Sequence, residues 1–126
     1  MPKVAKDSLS KLKFSSKNKL LKKADFQFVF AKSRKITHLY LLALYRHNKR
    51  NDSRLGIIIG KRWVKSAVHR NLLKRIIRES FRHQKEGLKG LDIIVLMRSE
   101  CTPLCEPFGK KKIRDDIDYI WQTLMN

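Results

Sequence analysis

The sequence is short of acidic residues and of long apolar runs, and each shortage narrows what the chain can be. It has 11 Asp and Glu against 30 Lys and Arg in 126 residues, which gives a formal net charge of +19. Like charges in such excess repel one another in a compact fold, so we expect a polyanionic partner. Nucleic acid is the first candidate and an anionic membrane is the second. No run reaches the roughly 18 apolar residues that mark a transmembrane helix.

The patterns of a protein active site or a metal centre are also missing. There is no glycine-rich phosphate loop and no cue for a Ser-His-Asp triad. The only cysteines, Cys101 and Cys105, lack the second pair that would complete a zinc site, so we expect them to be structural or incidental. We also expect them to be reduced, because a cytoplasmic protein is the default here. The histidines show no ligand spacing: His38, His47, His69 and His83.

An aspartate cluster near the C-terminus has two readings. Asp115, Asp116 and Asp118 lie close together on a predicted helix and could suggest a metal site. A helix surface that balances the charge of Lys110, Lys111 and Lys112 is the simpler expectation.

The first 20 residues have the composition of a flexible basic arm. Residues 1–23 contain eight lysines, one acid and few large apolar side chains. Such a segment is either a solvated tail or one that becomes ordered on RNA, and the composition leaves both open. No apolar segment follows the lysines, so we expect no secretory signal. Residues 21–126 are expected to form a single RNA-binding domain.

Hydrophobic periodicity predicts the element order α-β-β-β-α-β-α. Helical spacing indicates helices over residues 24–32, 66–84 and 110–125, with Ser66 as the N-cap of the second. Alternation predicts a strand over 38–46 with a partner over 34–37. Apolar runs predict strands covered on both faces over 55–59 and 92–97. These last two strands flank a helix as a crossover unit, so we expect them to be parallel.

The strongest functional signal is one-sided charge on the helix predicted over residues 66–84. At about 100° per residue, Leu72, Leu73, Ile76 and Ile77 share the half that can pack on a sheet. We call the set on the other half the basic ridge: Arg70, Asn71, Lys74, Arg75, Arg78 and Arg82. Arginine forks donate paired hydrogen bonds to phosphate, and Asn71 can contact a base edge or a 2′-hydroxyl. A solvated charged face normally mixes signs, so this ridge favours nucleic acid.

The aromatic residues allow two interpretations. Phe26, Phe30 and Tyr45 could form a stacking platform for unpaired bases, or they could be ordinary core residues. Spacing alone favours core.

Residues 54–82 closely resemble the signature of the bacterial ribonuclease P protein subunit. The likeness includes Arg54, the basic pair Lys61 and Arg62, and the Arg70-Asn71 pair at the head of the basic helix. Residues 22–30 resemble the first helix of that family, and residues 90–96 resemble its last strand. The signature is long and specific, and the likeness covers residues 20–124.

The resemblance implies a fold. It is a two-layer α/β (α+β) sandwich of the ribosomal protein S5 domain 2-like type, with a four-stranded mixed sheet and a left-handed β-α-β crossover. General chain geometry alone favours a right-handed crossover.

The resemblance also implies a function. The protein would assist a catalytic RNA that removes the 5′ leader from precursor tRNA. The RNA subunit of this endonuclease would perform the hydrolysis with Mg²⁺, so no catalytic residue and no cofactor are expected on the protein alone. The free protein is expected to be a cytoplasmic monomer without membrane contact.

Two sets of site residues carry over from the resemblance. The set for binding the RNA subunit is Lys61, Arg62, Lys65, Arg70, Asn71, Lys74, Arg75, Arg78 and Arg82. The set for a leader cleft between the first helix and the sheet is Phe26, Phe30, Tyr45 and Arg54. The chain departs from the family pattern at Leu72, where a third basic residue is usual, and at Ile58 and Gly60, where small polar residues are common.

Other classes of protein remain to be weighed. A ribosomal or other structural RNA-binding protein explains the charge equally well, but it does not explain the ordered signature. A DNA-binding protein would need a helix and turn before residues 66–84, where the sequence predicts a strand. A membrane-binding amphipathic helix would need the apolar face that the core requires.

Overall fold

The computed structural model describes residues 23–98 and 109–125. Their elements are helix α1 (Lys23–Ala31), strands β1 (Arg34–His38), β2 (Leu41–His47) and β3 (Arg54–Ile58), helix α2 (Ala67–Gln84), strand β4 (Leu91–Met97) and helix α3 (Gly109–Met125). A short 3-10 helix, Lys85–Leu88, joins α2 to β4. The predicted order is confirmed, and no predicted boundary is more than three residues from the observed one. The predictions for the basic arm and for Cys101 and Cys105 lie outside the described residues.

The four strands form one mixed sheet in the order β1-β2-β4-β3. β2 is antiparallel to both β1 and β4, whereas β3 is parallel to β4, as the crossover unit predicts. β4 therefore lies between β2, the second strand of the hairpin, and the parallel strand β3. Ile93, Ile94 and Val95 are completely buried in it, because both faces of this central strand are covered.

Helices α2 and α3 pack on one face of the sheet and form the main core with it. α2 contributes Leu73, Ile76, Ile77 and Phe81, and α3 contributes Ile113, Ile117, Ile120 and Trp121. The rings of Phe81 and Trp121 meet edge to face with centroids 5.8 Å apart, which fixes the two helices against each other.

Helix α1 packs on the opposite face of the sheet over a smaller core. Val29 is fully buried there against Ile94, and Phe26, Leu44 and Leu96 complete the contact. Residues of β4 therefore alternate between the two cores, as the two-residue period of a strand requires.

Strand β3 is only partly covered, which corrects the expectation that both of its faces are buried. Leu55 is buried in the main core, but Ile58 is 38% exposed on the side of α1. The reason is topological, because β3 is an edge strand and the short helix α1 does not extend over its end.

Asp116 joins α3 to the β1–β2 hairpin. Its carboxylate is fully buried, accepts a hydrogen bond from the backbone N–H of Tyr40 at 2.8 Å, and lies 2.7 Å from Nδ1 of His38. The His38 ring stacks on Tyr119 of α3 with centroids 3.9 Å apart. Burial raises the pKa of Asp116 above its usual value, while the hydrogen bonds from Tyr40 and His38 act in the opposite direction. The expectation that Asp116 lies on a helix surface is therefore wrong.

We expect Asp116→Ala to lower the free energy of unfolding by about 1–3 kcal/mol, because it leaves the Tyr40 N–H without its acceptor in the interior. Urea denaturation followed by circular dichroism measures this change. Asp115→Ala on the exposed side of the same helix is the control, with an expected change within about 0.5 kcal/mol. Equal effects of the two substitutions would show that Asp116 does not hold the hairpin.

Candidate nucleic-acid interface

Helix α2 turns its basic ridge to solvent. Leu73, Ile76 and Ile77 are buried in the main core, and Leu72 is half-buried against it. On the other side of the helix the side chains are solvent-exposed: Asn71, Arg75 and Arg78. The departure from the family pattern at Leu72 thus fits the structure, because this position belongs to the apolar side.

Arg70 has a structural contact as well as a place on the ridge. Its Nη1 donates to the carbonyl oxygens of Val64 at 2.9 Å and Lys65 at 2.8 Å. Ser66 caps the helix, since its side chain accepts a hydrogen bond from the N–H of His69. These contacts hold the segment before α2 against the first turn of the helix.

The basic residues before α2 are exposed beside the ridge: Lys61, Arg62 and Lys65. The Arg62 guanidinium lies over the ring of Trp63, 4.7 Å from its centroid. The carbonyl of Gly60 accepts from the N–H groups of Trp63 and Val64, both at 3.2 Å, so the segment turns tightly toward α2. The three exposed cations therefore precede the first turn of α2 closely.

The remaining ridge residues differ in their surroundings. Arg75 pairs with Glu79 at 3.5 Å, but its side chain is 76% exposed, and such surface pairs contribute little. Lys74 and Arg82 are half-buried, and Nε of Arg82 is buried with no hydrogen-bond partner among the described residues. The ridge therefore keeps most of its positive charge on the surface.

Phe26 and Phe30 lie one turn apart on α1 and form a short aromatic surface, which we call the α1 platform. Their ring centroids are 6.5 Å apart with an interplanar angle of 28°. Phe30 is 49% exposed, whereas Phe26 packs partly against the small core beneath. Fixed and accessible rings of this kind can stack with unpaired bases.

Tyr45 is not brought together with the α1 platform. Leu44 faces α1, and Tyr45, the next residue on β2, packs against the main core on the other face of the sheet. The alternation of a strand is the reason, and it was already visible in the sequence. The role of Tyr45 in a leader cleft stays a prediction.

Arg54 is bound inside the protein rather than presented to solvent. Its Nε and Nη2 donate to the two carboxylate oxygens of Asp92, and its Nη1 donates to Asp25 of α1 at 3.0 Å. The Asp92 side chain is fully buried and also accepts from Nδ2 of Asn48 at 2.8 Å. The hydrogen bonds with Asp92 raise the pKa of Arg54 above its usual value. We call Asp25, Arg54 and Asp92 the α1 clamp, because they join the helix to two strands.

The sequence did not predict the roles of Asp25 and Asp92, although one signal pointed to Asp92. Asp92 interrupts a run of buried apolar residues, and an acid in such a place needs a partner. Arg54 is its direct partner in the parallel register of β3 and β4. The contact with Asp25 depends on how α1 crosses the sheet, and no spacing in the sequence gives that.

Among residues 23–98 and 109–125, no three His, Cys, Asp or Glu side chains are grouped closely enough to hold a metal ion. None of the helices in these ranges combines the length and the hydropathy needed to cross a bilayer.

Comparison with known proteins identifies close relatives. A family model described as Ribonuclease P matches residues 14–124. The chain is 39% identical over 113 residues to the ribonuclease P protein component of Pseudomonas aeruginosa, covering 89% of this chain and 81% of the relative. It is 45% identical over 85 residues to that of Legionella pneumophila, covering 68% of this chain and 73% of the relative.

A solved structure has a similar fold. It is a mutant of the Staphylococcus aureus RNase P protein with defective mRNA degradation activity, and it superimposes with a TM-score of 0.73 at 28% identity. The match covers 85% of this chain and 87% of that one.

The α1 clamp makes a graded prediction about stability. Arg54→Met should lower the free energy of unfolding by about 3–5 kcal/mol, because it leaves the buried charge of Asp92 without its cation. Asp25→Ala should cost about 1 kcal/mol, because its pair with Arg54 is the more accessible one of the α1 clamp. Urea denaturation measures both values. A larger loss from Asp25→Ala than from Arg54→Met would contradict this order.

Proposed function

Since the chain belongs to the ribonuclease P protein family, we propose that its basic ridge binds the RNA subunit and that its α1 platform binds the 5′ leader of precursor tRNA. Family membership itself gives the chain a subunit role in tRNA processing within a ribonucleoprotein that has an RNA partner. The finer assignment of surfaces is supported by the geometry of α2 and α1.

The observation that carries the proposal is the large excess of positive charge on the exposed half of α2. Asn71, Arg75 and Arg78 project from it to solvent, and Glu79 is the one acid in α2. Clustered arginines lower the free energy of a nearby RNA backbone by releasing its counterions. The amide of Asn71 adds a neutral group that can contact a base edge or a ribose hydroxyl.

The α1 platform supports the second half of the proposal. Precursor tRNA differs from mature tRNA in its single-stranded leader, whose bases are free to stack. Phe30 offers an exposed ring for this purpose, and Phe26 lies beside it at stacking distance. The platform and the basic ridge lie on opposite sides of the sheet, so the two RNAs need not compete for one surface.

The chemistry belongs to the RNA in this proposal. The RNA subunit hydrolyses the phosphodiester with Mg²⁺, while the residues of this chain bind, orient and neutralise charge. The protein alone needs neither a metal ion nor a catalytic residue for that role. A cytoplasmic location and a monomeric free state belong to the same proposal.

We expect this chain to restore accurate 5′ cleavage of precursor tRNA by a bacterial ribonuclease P RNA at low Mg²⁺.

Arg75→Ala combined with Arg78→Ala should weaken binding to that RNA and reduce the slope of log K against log salt by about 2, since about one counterion is released per phosphate contact. Lys110→Ala with Lys111→Ala on α3 removes the same charge elsewhere and should leave the slope nearly unchanged.

Two outcomes would redirect the proposal. Binding to the RNA without any gain in cleavage would favour a structural RNA-binding protein. An equal loss of slope in the α2 and α3 variants would show that net charge alone governs binding, and that the basic ridge is not a specific interface.

The Asp25→Ala variant tests whether the α1 clamp positions the α1 platform. An effect of charge alone would change RNA binding in the opposite direction. Removing an acid near an RNA site strengthens binding if only charge matters. Asp25→Ala should instead weaken the preference for precursor over mature tRNA severalfold, because it releases the α1 platform from Arg54. Affinities of the reconstituted holoenzyme for the two tRNA forms give the answer.

The control for this test is Glu86→Ala on the 3-10 helix, which removes an acid without touching α1. It should leave the preference for precursor tRNA unchanged. A stronger preference in the Asp25→Ala variant would show that the clamp does not position the platform.

A further inference from the structure

A separate concave surface lies where α1 ends and β1 begins. This pocket, which we call the junction pocket, has a volume of about 350 Å³ and is lined by Lys32, Ser33, Arg34, Tyr45, Arg46 and His47. Its size falls in the range of small-ligand sites, roughly 300–1,000 Å³. None of the described residues that line it is acidic, so its charge selects for an anion.

Tyr45 gives the junction pocket a fixed aromatic wall. It lies directly opposite Arg34 in the register of β1 and β2, so their side chains share one face of the sheet. Tyr45 is half-buried and packs against the main core, which holds its ring in place. An aromatic ring beside a guanidinium is the combination that binds a base and its phosphate.

Arg46 is a preorganised cation on the α1 side of the same pocket. Its Nη1 donates to the carbonyl oxygen of Phe28 at 2.6 Å, and its guanidinium lies 3.7 Å from the centroid of the Phe28 ring. β2 thereby holds the last turns of α1, and the positive charge of Arg46 stays at one position without further ordering.

The junction pocket lies around the edge of the sheet from the α1 platform. Phe26 and Phe30 follow each other toward the C-terminal end of α1, and the pocket begins two residues beyond Phe30, at Lys32. Tyr45 and Arg34 are on the face opposite α1, but Arg34 is the first residue of the edge strand β1. An RNA strand that leaves the platform at the end of α1 and passes around this edge reaches the pocket next. The N-terminal arm is an unsuitable occupant, because residues 1–23 carry eight lysines and one acid.

We propose that the junction pocket binds one nucleotide of single-stranded RNA, with its base against Tyr45 and its phosphate at Arg34 and Lys32. The nucleotide is the one that follows those stacked on the α1 platform. This inference rests on the proposed leader binding and adds a distinct subsite to it. Tyr45 thus contacts RNA at a different place from Phe26 and Phe30, with which the family resemblance groups it.

The test uses the reconstituted holoenzyme and precursor tRNAs whose leaders grow by one nucleotide at a time. The wild-type affinity should rise in steps and then level off, and the last step belongs to the junction pocket. Arg34→Gln and Tyr45→Leu should remove that last step, roughly tenfold in affinity, and leave shorter leaders unaffected. Arg34→Gln should also reduce the salt slope by about one for long leaders alone.

Matched variants separate the causes. Tyr45→Phe keeps the ring and should behave as the wild type, whereas Arg98→Gln removes a cation at the other end of the hairpin and should leave the length profile unchanged. Arg34 is exposed, so its substitution tests the pocket even where Tyr45→Leu disturbs the core.

The possible failures are distinguishable. If the wild type gains no affinity from a leader of any length, the proposed leader binding itself is wrong. If the wild type gains affinity and Phe30→Ala loses it, but Arg34→Gln keeps the full length profile and salt slope, the junction pocket is overturned while leader binding stands.

Discussion

The burial of β4 on both of its faces is the constraint on which the other elements depend. Its odd-numbered residues, such as Ile93 and Val95, lie in the main core with α2 and α3, and its even-numbered residues, such as Ile94, lie under α1. Both helical layers thus pack against this one strand. Asp92 belongs to the same strand, and its buried carboxylate is paired with Arg54, which also reaches Asp25 on α1.

Two of the scarce acids are used inside the fold. Asp92 and Asp116 are buried acceptors, and each joins elements distant in sequence. On α2 the only acid is Glu79, so the basic residues of that helix keep most of their charge toward solvent. The positive potential of the molecule follows from the excess of 30 lysines and arginines over 11 acids.

Periodicity predicts the four strands and the three α-helices of the described residues and the exposed half of α2, because each depends on the spacing of apolar residues within one segment. The 3-10 helix Lys85–Leu88 was not predicted. The stacking of Phe26 and Phe30 is equally local. The alternation of β2 likewise places Tyr45 on the face opposite Leu44. Arg54 could not be placed in this way, since its surroundings come from contacts between segments. An arginine of a family signature, such as Arg54, looks the same in sequence whether it binds a phosphate or a buried aspartate. Only the packing of the folded chain distinguishes these two roles.

If both surfaces bind RNA as proposed, the opposite placement of the basic ridge and the α1 platform makes the protein an electrostatic spacer. Two polyanions held on the two sides are separated by two layer spacings, roughly 20 Å in all. That separation exceeds the Debye length of about 8 Å at physiological ionic strength, so their mutual repulsion is largely screened. A single-layer protein of equal charge would hold both strands within reach of each other's field.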